Sequence, residues 1–272
     1  MKLKSAEDIL KMREAGRLAA QTLRHVEPFI KPGISTEEIN TIVHDFIVKN
    51  GAYPSPLNYK GFPKSVCTSI NNVICHGIPS PTEILQDGDI VNVDVTVTLN
   101  GYFGDTSRTY FVGENISEER RMLTEVAAES LSRAIAVVKH GARIGDIGAA
   151  IQHYADDQKK CGVVRDFVGH GIGKVFHEDP PVPHYGRAGT GTKLVRGMCF
   201  TIEPMINGGD WRHKMLADGW TAITVDGRSS AQFEHTIAIV GDGIEILTAL
   251  PDDAIAMRAR DLGAPILWPE LN

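Results

Sequence analysis

Between residues 91 and 99 the chain alternates apolar and polar positions. Val91, Val93, Val95, Val97 and Leu99 fall on one side, and Asn92, Asp94, Thr96 and Thr98 on the other. A period of two predicts a half-buried strand. Asn100-Gly101 follows, a dipeptide suited to a tight hairpin because both central residues need positive φ. A second strand is expected over Tyr102–Phe111. A two-residue loop then pairs Leu99 with Tyr102, Thr96 with Asp105 and Asp94 with Ser107. Asp94 and Asp105 become diagonal neighbours on one face, roughly 7 Å apart or less. Like charges so placed repel. Either the face is a solvated one carrying two incidental acids, or a cation sits between them.

Elsewhere the period lengthens. Ser5-Ala6-Glu7-Asp8 reads as a capping box, and Ile9, Met12, Ala15, Ala19, Leu23 and Val26 recur at helical spacing. Pro32-Gly33 breaks the chain. Ser35-Thr36-Glu37-Glu38 opens a second helix, with Ile39, Ile42, Val43, Phe46 and Ile47 on one face and Asn50-Gly51 at its C-terminus. The second half repeats the plan. A helix from about Glu118 turns Leu123, Val126, Leu131, Ala134 and Val138 inward, and another ends at Cys161-Gly162. Lys139-His140-Gly141 mirrors Lys31-Pro32-Gly33, and Asp146-Ile147 mirrors Glu38-Ile39, both at an offset of 108. Gly197 and Glu203 answer Gly88 and Asp94 at an offset of 109, and His170-Gly171-Ile172 answers His76-Gly77-Ile78 at 94. The second half therefore carries an insert, assigned to the Pro- and Gly-rich loop 179–191. A duplicated helix–helix–strands unit is expected, its halves spanning about 3–112 and 116–250 and joining edge to edge as one curved sheet. A histidine and an acid from each repeat can then meet at the centre.

Composition narrows the function classes. The 272 residues suffice for a sizeable core, the net charge is −6, and there is no basic block, so nothing indicates nucleic acid as a direct substrate. No secretory signal and no apolar run of membrane-spanning length is present. Cys67, Cys75, Cys161 and Cys199 form no C-x-x-C pair. Free thiols in a reducing cytoplasm are expected.

Three further polar residues stand in suggestive contexts. Glycines flank His170 and allow a backbone to come close to it. Glu203 ends a strand stopped by Pro204, and Glu234 interrupts another strand-like run. Asp94, Asp105, His170, Glu203 and Glu234 together are the donor set of a two-metal hydrolase. Asn92-Val93-Asp94-Val95-Thr96, Gly104-Asp105-Thr106, Gly169-His170-Gly171-Ile172-Gly173, Phe200-Thr201-Ile202-Glu203-Pro204 and Gln232-Phe233-Glu234-His235-Thr236 resemble the signature of the methionine aminopeptidases. The resemblance is closest to the short bacterial type I form and spans roughly residues 3–250. It implies an α+β pita-bread fold: a curved, mostly antiparallel sheet with helices on its outer face and an internal pseudo-two-fold duplication. Residues 1–250 are then one catalytic domain and 251–272 a C-terminal tail, whose Ile266-Leu267-Trp268-Pro269 is apolar enough to dock on the body or a neighbour.

The implied activity is removal of the initiator methionine from nascent polypeptides with a small second residue, by attack of a metal-bridged hydroxide on the peptide carbonyl. Four clustered carboxylates could not all ionise unaided, and two divalent cations would balance them. The resemblance implies that Asp105 and Glu234 bridge two such cations, that Asp94 chelates one, and that His170 and Glu203 complete the other. Co, Mn, Fe and Zn all suit such ligands. Glu203 would also shuttle the proton, His177 bond the substrate carbonyl, and His76 contact the scissile nitrogen. Tyr59, Phe62, Cys67, Phe176 and Trp220 would form the methionine pocket, and Asn71, Val73 and Ser230 a monovalent-cation site. Phe62 and Lys60 stand where the bacterial enzymes often carry tyrosine and histidine, which affects the rim of the pocket. Expected partners are nascent N-termini and, transiently, the ribosome; a monomer is expected. An Xaa-Pro-type peptidase and a catalytically silent pita-bread binding module are the alternatives. The first usually carries a large N-terminal domain, and the second typically loses ligands.

Overall fold

The structure, a computed structural model, describes residues 2–267. Trp268 and Pro269 lie outside the described residues. Helix α1 (Ala6–Val26) begins at a capping box in which the Ser5 side chain and Asp8 exchange hydrogen bonds with each other's backbone. Helix α2 (Thr36–Lys49) begins the same way at Ser35 and Glu38. Short strands β1 (Tyr53–Pro54), β2 (Cys67–Ile70) and β3 (Val73–Cys75) follow, then the long hairpin of β4 (Ile90–Leu99) and β5 (Tyr102–Phe111). Leu99 pairs with Tyr102, Thr96 with Asp105 and Asp94 with Ser107, the register expected from a two-residue Asn100-Gly101 turn.

The second half opens with α3 (Glu118–Ala136) and α4 (Ile144–Gln152), whose last turn, His153–Gln158, widens to π geometry before the chain turns at Cys161. Its strands are short. They are β6 (Gly162–Val163), β7 (Gly169–Gly171), β8 (Glu178–Val182), β9 (Cys199–Ile202), β10 (Met205–Asn207), β11 (His213–Met215), β12 (Ala222–Thr224), β13 (Ser230–Gln232), β14 (His235–Val240) and β15 (Gly243–Ile246). The duplication is visible in backbone detail. Gly33 and Gly141 share φ values of 94° and 92°, and Gly88 and Gly197 share 96° and 85°. Asp146 accepts the Arg143 N–H as Glu38 accepts that of Ser35.

Alternation along the strands separates core from site. Val91, Val93, Val95 and Val97 are fully buried against α1 and α2, forming the first half's core. Each such side chain contributes about 1.5–3 kcal/mol relative to exposure. Phe200, Ile202, Ile237 and Ile239 do the same beneath α3 and α4. The intervening polar residues face the opposite side. Helix α1 lies so close to β5 that a Cβ on Gly104 would stand 2.4 Å from the Ala15 carbonyl carbon.

The curved strand surface is not one unbroken ladder. Four hydrogen-bonded sheets divide it, with strand orders β1-β4-β2 (β5 on β4), β13-β10-β6, β11-β12-β3 and β15-β14-β9-β7-β8. The halves meet where Arg108 bridges Phe233 and the Glu234 N–H donates to Ser107 O at 3.1 Å. One expectation needs correction. Part of the insert 179–191 is strand, not loop: β8 pairs with β7. Pro180 and Pro181 tolerate this because β8 is an edge strand.

Past residue 250 the chain returns to the second half. Helix α5 (Ala254–Asp261) lies on α3, with Ala256 and Ala259 fully buried, and Ile266 forms a parallel bridge with Ile244. Among the described residues, no helix is long and apolar enough to cross a membrane. All four cysteines are free and buried.

Candidate active site

A cavity of about 330 Å³ opens where the polar faces of the two halves meet. Its lining includes Asp94, Asp105, His170, Glu203 and Glu234, together with His76, His177, Tyr59, Phe62, Cys67, Phe176 and Trp220. Asp94 and Asp105 arrive on the hairpin. His170 comes from the middle of β7, Glu203 from just beyond β9, and Glu234 from the break between β13 and β14. One ligand atom each from Asp105, His170 and Glu234 lies within 4.8 Å of the others. His170 Nε2 is 3.5 Å from Asp105 Oδ2 and 3.6 Å from Glu203 Oε1.

The close approach depends on glycine. A Cβ on Gly169 would stand 2.4 Å from Thr201 O, and one on Gly171 would stand 2.4 Å from Asp179 O. Side chains outside the acid cluster hold its members in place. Thr96 Oγ1 donates to Asp105 Oδ1 at 2.6 Å. Thr201 Oγ1 donates to Glu203 Oε1 at 2.8 Å while accepting the His170 N–H at 2.9 Å. His170 Nδ1–H donates to Gly171 O at 3.0 Å, which turns Nε2 toward the acids. His184, completely buried, accepts the Glu203 N–H on Nε2 at 3.1 Å.

Burial and mutual repulsion set the protonation. Burial, and then the charge of Asp105, push the Asp94 and Glu234 carboxyls well above the usual range. Burial lifts Glu203 to about 7, opposed by His170 and reinforced by Asp105. For His170 burial pulls downward, but the Asp105 hydrogen bond and the charges of Glu203 and Asp105 outweigh it and raise the ring to about 9. Burial and the neighbouring His170 take His177 down to about 4, and burial alone takes His184 to about 3. Among the described residues, His170 is the only cationic group within ion-pair distance of these four acids. Four carboxylates, Asp105 and Glu234 buried and Asp94 and Glu203 half-buried, and one oriented imidazole therefore fit divalent cations, which would replace protons the acids otherwise retain.

Beside the acids the cavity is aromatic. Phe62 meets Trp220 edge-on at 5.2 Å, Tyr59 tilts against Phe176 at 4.8 Å, and Phe103 stacks behind Phe176 at 5.4 Å. The Tyr59 hydroxyl is 2.9 Å from His177 Nδ1. When it donates there, Nε2–H of His177 is the free donor. Lys60 stands exposed at the rim with its Nζ 5.3 Å from the Tyr59 ring. Asn71 and Ser230 are also brought together, the Ser230 N–H donating to Asn71 O at 2.7 Å, and Val73 opens β3 nearby.

Sequence reasoning missed His184, Thr96 and Thr201. The two threonines sit two residues from Asp94 and Glu203 on the same strand faces, a signal that period-two alternation could have supplied. His184 has no comparable signal, because its partner lies 19 residues away across a turn of chain.

The sequence model of metallopeptidase family M24 matches residues 10–240. Methionine aminopeptidase A of Synechocystis sp. is 57% identical over 246 residues, covering 90% of this chain and 96% of that protein. The crystal structure of methionine aminopeptidase from Rickettsia prowazekii superposes with a TM-score of 0.89 at 51% identity, covering 92% of this chain and 100% of that one. The methionine aminopeptidase of Thermotoga maritima gives the same TM-score at 42% identity, covering 92% and 100%.

Proposed function

Because the chain belongs to metallopeptidase family M24, among its methionine aminopeptidases, we propose that Asp94, Asp105, His170, Glu203 and Glu234 together hold two divalent cations beside a methionine pocket. The activity is metal-dependent removal of N-terminal methionine from polypeptides. The donor count supports a pair of ions: three residues already converge on one point, and two more carboxylates reach the same cavity. Four carboxylates balance two dications.

Bound there, such ions supply Lewis acidity, polarising the substrate carbonyl and lowering the pKa of water. The protein groups do the rest. Glu203, with Oε1 tied to Thr201, takes the proton of the attacking water on Oε2 and passes it to the leaving amine. His177, neutral at pH 7, donates Nε2–H to the carbonyl oxygen as it gains charge. His76 contacts the scissile nitrogen. Tyr59, Phe62, Cys67, Phe176 and Trp220 receive the thioether, whose polarisable sulfur suits aromatic walls. A small second residue after the methionine belongs to the same reading. Mn, Fe, Co and Zn are all compatible with the ligands. A monovalent cation near Asn71, Val73 and Ser230, a monomeric state, and brief contact with the ribosome at emerging N-termini complete the reading.

Hydrolysis of Met-Ala-Ser and of an Xaa-Pro peptide by chelator-treated protein, with Mn²⁺ or Co²⁺ restored, tests it. Release of methionine only after metal addition is expected. Turnover of the Xaa-Pro peptide alone would favour the proline-directed alternative, and metal binding without turnover the silent module.

A further inference from the structure

Glu234 sits at a strand break, and the next residue, His235, opens β14 opposite Ile202. His235 is 4% exposed and clamped from both sides. Its Nδ1 lies 2.9 Å from Thr248 Oγ1, which also accepts the Thr236 N–H at 3.0 Å. With that bond accepted, the Thr248 hydroxyl has its own proton to give to Nδ1. The neutral ring then carries its proton on Nε2. Nε2 is buried and makes no hydrogen bond among the described residues, and Asp253 Oδ1 lies 3.4 Å from it.

Asp253 belongs to the chain past residue 250. It is the N-cap of α5, where Oδ1 also accepts the Ala256 N–H at 2.9 Å. Helix α5 is anchored by Ala256 and Ala259 in the second half's core, by Arg258 on Glu129 at 2.9 Å, and by Ser132 Oγ donating to Ile255 O at 3.3 Å. A continuous line of contacts thus runs from that core through the α5 cap and the imidazole to the peptide bearing Glu234. The first half grips that peptide from its other side: the Glu234 carbonyl accepts Thr106 Oγ1 at 2.7 Å.

We propose that Asp253 is a positioning residue of the metal centre, acting through His235 to fix the strand start from which Glu234 projects. Metal affinity then depends on the docking of α5. This deepens the reading of Glu234 as a ligand and rests on it.

Asp253→Ser keeps a capping oxygen but is too short to reach His235, whereas Asp253→Asn keeps both the cap and an acceptor for Nε2–H. Calorimetric titration of chelator-treated protein with Mn²⁺ gives the affinity, thermal melting of the metal-free form gives the stability, and Met-Ala-Ser hydrolysis gives kcat and KM. Asp253→Ser is expected to lose about tenfold in Mn²⁺ affinity, as remote supports of metal ligands commonly cost 10- to 100-fold. Its kcat should fall further than its KM rises, and Asp253→Asn should recover most of both. Parental affinity in an Asp253→Ser variant that melts like its parent overturns the proposal. If that variant does not fold, Thr248→Val, which cuts the opposite clamp and leaves α5 intact, decides: unchanged affinity overturns the proposal and a comparable loss supports it. A parent protein that binds Mn²⁺ but releases no methionine overturns the activity instead, and the affinity comparison still stands.

Discussion

His76-Gly77-Ile78 and His170-Gly171-Ile172 are the same three residues in the two halves, in opposite surroundings. His170 lies in a strand with its Nε2 turned to two carboxylates, which raise the ring to about 9. His76 has a left-handed backbone, φ 57°, and its ring meets Phe167 and Trp220 edge-on at 5.5 and 6.0 Å. Burial lowers its pKa. One copy is built to sit among charges and the other to stay neutral. The acids diverge in parallel: Asp94 lies inside a ten-residue strand, whereas its counterpart Glu203 follows a four-residue strand and precedes a proline. The first half presents its acids on one unbroken hairpin platform. The second supplies Glu203 and Glu234 at strand ends, where backbone direction can change, and His170 from the middle of a three-residue strand, so duplication fixed the meeting point and local environment assigned the chemistry.

The sharpest way to separate the acids is Glu203→Gln. It should lower kcat on Met-Ala-Ser by roughly 10⁴-fold, at the upper end for a general acid–base group, while Asp94→Asn should act chiefly on metal affinity. Equal kinetic signatures would erase the distinction between platform and shuttle. For the histidines, His170→Ala should weaken Mn²⁺ binding by about 100-fold, within the range for metal-site disruption. His76→Ala should leave that affinity alone and lower kcat by about 100-fold. Titration calorimetry beside steady-state kinetics checks both, and a metal defect in His76→Ala would break the comparison.

Removing the metals exposes the electrostatics of the pocket to pH. The native Glu203 carboxyl holds its proton to about 7, whereas an unfolded glutamate loses it near 4.5. The native state thus binds more protons between those values, and metal-free stability falls as pH rises through them. His170, raised from 6.5 to about 9, adds stability that is complete below 6.5 and lost as pH rises through 9. Both effects share a sign. Below pH 6.5 the depressed His177 and His184 rings act with the opposite sign, so chelated protein should lose on the order of a few kcal/mol between pH 6.5 and pH 9, and Mn²⁺ should flatten the decline. Thermal melts across that range measure it, and a metal-free Tm that climbs toward pH 9 would contradict the assignment. The smallest test compares the two threonine supports. Thr96→Val and Thr201→Val should each weaken metal binding by about tenfold, and a loss confined to one half would show that only one face of the site is held by a hydroxyl.

Much of this was legible in one dimension. Alternation and Asn100-Gly101 dictate the hairpin register residue by residue, because a two-residue turn leaves no freedom to slip. The capping boxes at Ser5 and Ser35 mark helix starts because their hydrogen bonds close within four residues. The gaps follow a common cause. Strand β8 hides behind two prolines that only an edge position permits. His184, the Thr248–His235–Asp253 contacts and the docking of α5 are pairings between distant parts of the chain, with no local period to betray them.

The sequence by itself determined which faces are apolar, where the chain turns, and that one plan occurs twice, since these rest on backbone preferences and side-chain spacing within a few residues. Tertiary structure alone decided which histidine faces carboxylates and which faces aromatic rings, how far the acids' protons are held, and which remote residues brace Glu234. Those properties depend on distance and burial, and both are set only when segments more than a hundred residues apart close around the same cavity.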